Sequence, residues 1–242
     1  MAEETRTRWS DMHAYVTGGN SGIGRAISVC LAEKGVDVAI CGQNQETINS
    51  TVDRLQELNP SCFGKQVDVR SEDEQLTMFD ELKSRFETLE ICVPNAGRAT
   101  LANVTDTTLE EWNRDIETNL TGFFLTAREA LKWMKGQEKG WILPIVSKAG
   151  KKAFELRASY CSSKWGALGL SKCLALEAEE YGIKVSALCP ASVDTPYQEG
   201  NPRGTDWMME PEEIAKTVVF LIQQNSNVKI NELLIENFQK PN

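Results

Sequence analysis

The first apolar run of this chain, Ala14-Tyr15-Val16-Thr17, stops on two glycines, and a helical pattern begins directly after them. That junction, Thr17-Gly18-Gly19-Asn20-Ser21-Gly22-Ile23-Gly24, constrains the fold more than any other segment. Glycines at 18, 22 and 24 allow a tight turn, let the backbone approach a pyrophosphate, and let helix and strand pack closely. The helix N-terminus then offers unpaired N–H groups and a positive dipole end to phosphates. A structural turn without a ligand is the alternative for this loop taken alone. Its place between the first strand and the first helix of an alternating chain argues against that alternative.

The alternation runs the length of the chain. Apolar β-type runs at 14–17, 36–41, 63–69, 89–93, 141–147, 183–188 and 228–235 are separated by helical stretches at 23–34, 45–58, 72–86, 108–135, 159–181 and 211–224. Strands separated by helices mean right-handed crossovers and a parallel sheet covered on both faces. The expected fold is α/β: one Rossmann-type, doubly wound parallel sheet of about seven strands, in a single domain over residues 1–242. No repeat, low-complexity segment or linker interrupts it. The one long irregular stretch, 191–210, is a candidate substrate lid.

Composition removes several function classes. The net charge of −9 repels phosphate backbones and anionic membranes, which excludes nucleic acid and membrane surfaces as expected partners. The seven cysteines are odd in number and lack C-x-x-C spacing, so they read as reduced thiols of a cytoplasmic protein. No run is long and apolar enough for a membrane span, and residues 1–12 have no signal-peptide core. With one histidine, His13, no His-rich metal site is expected, and no metal is assigned.

Tyr160 and Lys164 stand four apart in a helical stretch and therefore share a face. A tyrosine hydroxyl near pKa ~10 is a poor acid/base at neutral pH, and a neighbouring ammonium favours its phenolate. The pair makes sense as a general acid/base unit. A solvated lysine beside a half-buried tyrosine is the alternative for the pair alone. Ser147 ends the fifth strand, thirteen residues before Tyr160, where parallel sheets place ligands. Its hydroxyl is suited to hold a substrate oxygen while Tyr160 moves its proton.

The turn spacing Thr-Gly-x-x-x-Gly-Ile-Gly, together with Ser147, Tyr160 and Lys164, resembles the short-chain dehydrogenase/reductase family, over nearly the whole chain. Further motifs carry the same resemblance. Asn119 matches the family's helix asparagine, which supports a water linked to the lysine; bonding a buried carbonyl is its alternative role. Asp68 and Val69 resemble the adenine-contacting pair after the third strand, and Asn95-Ala96-Gly97 the turn after the fourth. Asn95 also reads as a brace for the central sheet. Pro190-Ala191-Ser192-Val193-Asp194-Thr195 resembles the segment whose valine backbone and threonine hold the carboxamide and phosphates. The implied activity is reduction of a carbonyl, or oxidation of a secondary alcohol, with a nicotinamide dinucleotide, nearest to the 3-oxoacyl reductase and 3-hydroxy acid dehydrogenase type. The implied catalytic set is Asn119, Ser147, Tyr160 and Lys164. The implied cofactor contacts are Gly18, Asn20, Ser21, Gly22, Ile23, Gly24, Gln43, Asp68, Val69, Asn95, Ala96, Gly97, Tyr160, Lys164, Pro190, Val193 and Thr195. Pro94, Lys148 and Ala191 depart from the family pattern without removing a catalytic group.

NAD preference usually needs a carboxylate at the end of the second strand. Asp37 lies at that strand's start, and at ~3.3 Å per residue this is roughly 10 Å or more from the ligand end. The end itself reads Cys41-Gly42-Gln43-Asn44. With no acid to repel a 2′-phosphate, NADP is favoured over NAD. Lys151, Lys152 and Arg157 suggest a basic rim for an anionic substrate, or simply solvated charges. The helices at 108–135 and 159–181 carry apolar residues on more than one face, and the resemblance implies a homodimer or homotetramer through them. Two other functions stay open: a dinucleotide-binding sensor or scaffold without turnover, and imine reduction or epimerisation on the same fold. A serine hydrolase using Ser147 and His13 fails, because His13 begins the first strand, away from the ligand end.

Overall fold

The computed structural model describes residues 9–196 and 205–238. Its parallel sheet begins with β1 (His13–Thr17), β2 (Asp37–Gly42), β3 (Phe63–Gln66), β4 (Ile91–Val93), β5 (Gly140–Ile142) and β6 (Ile183–Val185), ordered β3-β2-β1-β4-β5-β6. A second parallel ladder joins β7 (Ala187–Pro190) to β8 (Glu232–Ile235). The two ladders are continuous, because the Leu188 N–H bonds the Pro144 carbonyl and the Val146 N–H bonds the Leu188 carbonyl. The expected sixth strand is thus one run broken at Ser186, and β8 adds the outer edge. β5 is shorter than the run at 141–147 suggests, because Pro144 supplies no N–H to the ladder and the pairing beyond it is irregular.

The helices are α1 (Gly22–Ala32), α2 (Gln45–Leu58), α3 (Glu72–Arg85), α4 (Leu109–Ile116), α5 (Gly122–Lys135), α6 (Ala158–Ala178) and α7 (Pro211–Ile222). Strand alternation sorts the core into two layers. Tyr15, Ala39, Cys41 and Cys92 face α3, α5 and α6, with Met78, Phe79, Phe123, Met134 and Leu168. Ala14, Val16, Val38 and Ile40 face α1 and α7, with Ile27, Leu31, Ile214, Val218 and Ile222. The stretch read as one helix over 108–135 is two helices joined by a wider π turn, Glu117–Thr121. All seven cysteines are free. Among the described residues no helix is long and apolar enough to cross a membrane, and no group of three or more His, Cys, Asp or Glu is placed to hold a metal ion.

The order β3-β2-β1-β4 reverses direction between β1 and β4, which opens a crevice at their C-terminal ends. His13 and Asp37 pair across β1 and β2 at the opposite end. There Glu90 accepts hydrogen bonds from the His13 backbone N–H and ring, at 3.0 and 3.3 Å. Burial opposes the charge of Glu90, but hydrogen bonds from the His13 ring, the His13 backbone and Thr88 outweigh it and hold the carboxyl down at about 2. A carboxyl depressed on folding contributes stability that is full above its unfolded pKa and is lost as pH falls through the folded value. Glu90→Gln is therefore expected to cost about 2 kcal/mol or more at neutral pH. Urea unfolding of both proteins checks this: the wild-type advantage should shrink steadily from pH 4.5 towards pH 2.

Candidate active site

The glycine turn is drawn tightly against the neighbouring strand. Gly18 and Gly22 have left-handed backbones, φ 62° and 48°. A Cβ on Gly24 would stand 2.2 Å from the Gly18 carbonyl oxygen, so the first turn of α1 lies directly on the loop. The Thr17 hydroxyl accepts the Asn95 and Ala96 N–H groups at 3.0 and 3.1 Å. The Asn95 amide donates to the Thr17 and Gly18 carbonyls at 2.9 and 3.2 Å. Asn95 therefore braces the junction of β1 and β4, and Ala96 and Gly97 face the crevice.

That crevice is a cavity of ≈ 410 Å³ between the ends of β1, β2, β3 and β4. Gly18, Asn20, Ser21, Gln43, Val69, Ala96 and Gly97 line it, all expected from the sequence. Ser21, the N-cap of α1, makes no side-chain cap bond, whereas Asn44, Ser71 and Thr108 each cap their own helices. An uncapped helix start, a cradle of glycines too tight for side chains and a polar groove together fit a dinucleotide with its pyrophosphate on α1. From the other side, Thr195 packs against Gly22: a Cβ there would meet the Thr195 methyl at 3.1 Å. Val193 pairs with Met209 in an isolated parallel bridge, just after Pro190 at the end of β7. Of the expected lid, 197–204 lies outside the described residues. Its flanks are tied together through Asn237, whose side chain bonds the Ser192 N–H and carbonyl and the Trp207 carbonyl.

Several lining residues were not anticipated: Gly42, Arg70, Arg98, Arg114 and Thr118. Arg70 grips Asp68 through both carboxylate oxygens, Nε at 2.9 and 3.0 Å and Nη2 at 2.6 Å. This hydrogen-bonded pairing, helped by Gln43, lowers the Asp68 pKa. Asp68 thus holds Arg70 at the groove wall. Arg70 and Arg98 stand beside the motif residues Val69 and Gly97, and that adjacency was the available signal. Of the residues expected to form a basic rim, Lys151 pairs with Glu232.

The second half of the site converges on α6. Ser147 follows the irregular extension of β5. Its side chain accepts the Ala149 N–H at 3.0 Å. The turn after it packs on α6: a Cβ on Gly150 would stand 2.7 Å from the Lys164 carbonyl oxygen. Tyr160 lies in the first turn of α6 and Lys164 one turn on, with the Lys164 ammonium 5.8 Å from the Tyr160 ring centroid and the Arg157 guanidinium 5.9 Å from it. Lys164 is 5% exposed and donates to the Ile145 carbonyl at 3.1 Å. Desolvation pulls its pKa down to about 8, which leaves it mostly charged at neutral pH. Asn119, in the π turn, accepts the Arg98 N–H and donates to the Arg98 carbonyl and Ser163 Oγ, each at 2.8 Å. Both ends of its amide are bonded to protein groups. Gly97 sits between the two side chains: a Cβ there would lie 3.1 Å from Asn119 Oδ1 and 3.5 Å from Lys164 Nζ.

Comparison with known proteins places this geometry in context. The family model described as short chain dehydrogenase matches residues 12–205. A putative ketoacyl reductase of Streptomyces coelicolor is 36% identical over 185 residues, 76% of this chain and 71% of that protein. An uncharacterized oxidoreductase of Staphylococcus epidermidis is 30% identical over 222 residues, 92% of this chain and 95% of that protein. Among solved structures, an alcohol dehydrogenase from the archaeon Thermococcus sibiricus, complexed with 5-hydroxy-NADP, superposes with a TM-score of 0.87 at 25% identity, covering 96% of this chain and 99% of that one. A variant of actinorhodin polyketide ketoreductase with NADPH gives 0.86 at 29% identity, covering 94% and 96%.

Burial of the lysine makes a prediction independent of any ligand. With a folded pKa of about 8 and an ordinary value of 10.5, the unfolded chain binds the extra proton between those limits. Wild-type stability should therefore rise across that window relative to Lys164→Met, by roughly 3 kcal/mol in all. Urea unfolding of the two proteins on either side of the window measures it, and a pH-independent difference would contradict the buried ammonium.

Proposed function

The chain belongs to the short chain dehydrogenase family and is an oxidoreductase of that family; on that premise we propose that it interconverts a ketone, of the 3-oxo class, and a secondary alcohol. The observation that carries the reading is the buried Lys164 ammonium, one helical turn from Tyr160 and beside the crevice of the glycine turn. A nicotinamide dinucleotide, when bound, supplies or accepts the hydride. Gly18, Asn20, Ser21, Gly22, Ile23 and Gly24 hold its phosphates, with Thr195 covering them. Gln43, Asp68, Val69, Asn95, Ala96 and Gly97 shape the adenosine side and the floor of the groove. Pro190 and Val193 border the nicotinamide end.

In the reducing direction, the Ser147 hydroxyl donates a hydrogen bond to the substrate oxygen. Tyr160 hands its proton to that oxygen as negative charge develops there. The resulting phenolate is stabilised by Lys164, which stays mostly charged at neutral pH. Asn119 keeps the Arg98 backbone and α6 in register beside the lysine. The phenolate regains its proton from solvent. Oxidation runs the same transfers in reverse.

NADP is the preferred dinucleotide in this reading. β2 carries no carboxylate of its own at its C-terminal end, the nearby Asp68 is paired with Arg70, and Asp37, at the other end, bonds Asn59 at 2.7 Å. Two solved relatives hold NADP-type ligands, which supports the same choice; NAD is the alternative. The protein acts as one catalytic domain, on a small-molecule carbonyl or alcohol, in the cytoplasm. Exposed Leu109, Phe124, Trp165 and Leu176 on α4, α5 and α6 support assembly into a homodimer or homotetramer through these helices.

Tyr160→Phe tests the chemistry. It should lower turnover of a 3-oxo ester by about 10²- to 10⁴-fold while dinucleotide affinity stays near the wild-type value. Undiminished turnover in that variant would remove Tyr160 from the reaction.

A further inference from the structure

A second carboxylate lies behind the site, and nothing in the mechanism above uses it. Asp115, on α4, is 0% exposed. It accepts four hydrogen bonds: from Arg98 Nε at 3.1 Å, the Thr100 N–H at 2.9 Å, Thr100 Oγ1 at 3.2 Å and Ser159 Oγ at 2.6 Å. These donors come from the loop after β4 and from the first turn of α6. Ser159 immediately precedes Tyr160. On the far side of the tyrosine, Ser163 Oγ donates to the Tyr160 carbonyl at 2.7 Å and accepts from Asn119 Nδ2 at 2.8 Å.

We propose that Asp115 is a positioning residue for Tyr160, holding the first turn of α6 and the wall segment 98–100 together from inside the molecule. The proposal rests on Tyr160 being the acid/base group. Asp115 and Asn119 are four residues apart on one helical face, and between them they secure both sides of the tyrosine turn. Asp115 also holds Arg98, a residue of the crevice wall, through its Nε. The same loop is anchored further on, where the Ala102 N–H bonds the Leu156 carbonyl at 3.0 Å and Leu156 holds a left-handed backbone, φ 61°.

Stability alone does not call for this arrangement. A buried ion pair is often no more stabilising than apolar side chains of the same volume, because both charges must leave water. What the carboxylate provides is geometry. It offers acceptors in four directions and no donor. An asparagine in its place has to turn its NH2 towards either the Arg98 Nε–H or the Thr100 N–H, and both are donors. One link breaks whichever way the amide turns.

The test is a double-mutant cycle of Ser159→Ala and Asp115→Asn, read by kcat, KM and dinucleotide affinity, together with amide hydrogen exchange of residues 98–102. Ser159→Ala removes one hydroxyl and leaves the Arg98 pair in place, so it reports even if Asp115→Asn folds poorly. Each single substitution should lower kcat by about tenfold or more, since small displacements of a reacting group cost up to about 10²-fold. Ser159→Ala should leave KM and dinucleotide affinity nearly unchanged. The double variant should lose less than the product of the two single losses, because the Ser159 link runs between the two substituted residues. Exchange at Thr100 should quicken in Asp115→Asn. Unchanged kcat in Ser159→Ala, or losses that multiply, would overturn the proposal. A wild-type protein that binds the dinucleotide without turnover would defeat the acid/base reading instead, and unchanged Thr100 exchange in Asp115→Asn would then still overturn the tether.

Discussion

The meeting of β1 and β4 is the constraint on which the rest of this molecule depends. Parallel strands on either side of a reversal in strand order send their following segments to opposite faces, so a crevice opens at their C-terminal ends. Left alone, that crevice would expose the last backbone groups of both strands. Thr17 and Asn95 satisfy them from within: the hydroxyl takes two N–H groups and the amide bonds two carbonyls. The glycine turn is thereby fixed against the end of β4, with room left for a ligand and none for a Cβ at Gly24.

The proposed chemistry is placed where this crevice meets α6. Lys164 reaches in from the helix to the Ile145 carbonyl and gives up hydration to do so, which is why its pKa falls to about 8. A lysine so placed is a charge in a low-dielectric setting, beside the Tyr160 ring. Its surroundings are held by short side chains. Asn119, Asp115, Ser159 and Ser163 link the π turn, α4, the loop after β4 and the tyrosine turn into one network. The opposite end of the sheet has its own polar cluster, His13, Glu90 and Asp37, which bears on stability and lies away from the crevice.

Much of this was legible in the sequence because it depends on local pattern. Alternation of apolar runs and helical stretches gave the parallel sheet, and the glycine spacing located the crevice. The four-residue step from Tyr160 to Lys164 put both side chains on one face. What stayed hidden depends on tertiary partners. Asp115 reads as one more acid in the run from Glu110 to Glu117, and only the fold places it between Thr100 and Ser159. Arg70 carries no mark of its closeness to Gln43 until β2 and β3 pair and Asp68 holds it. The π turn at Asn119 is invisible to helical periodicity, since it adds width without changing the apolar pattern. The partner of Lys151 was hidden for the same reason, since Glu232 is distant in sequence.

The central claim is that the crevice between β1 and β4 holds a nicotinamide dinucleotide. Titration of the purified protein with NADPH and with NADH, followed by nicotinamide fluorescence, tests it most directly. Saturable binding of both is expected, with NADPH the tighter because β2 ends without a carboxylate of its own. Binding of neither would contradict it, and the tyrosine, lysine and serine would then have no hydride chemistry to serve.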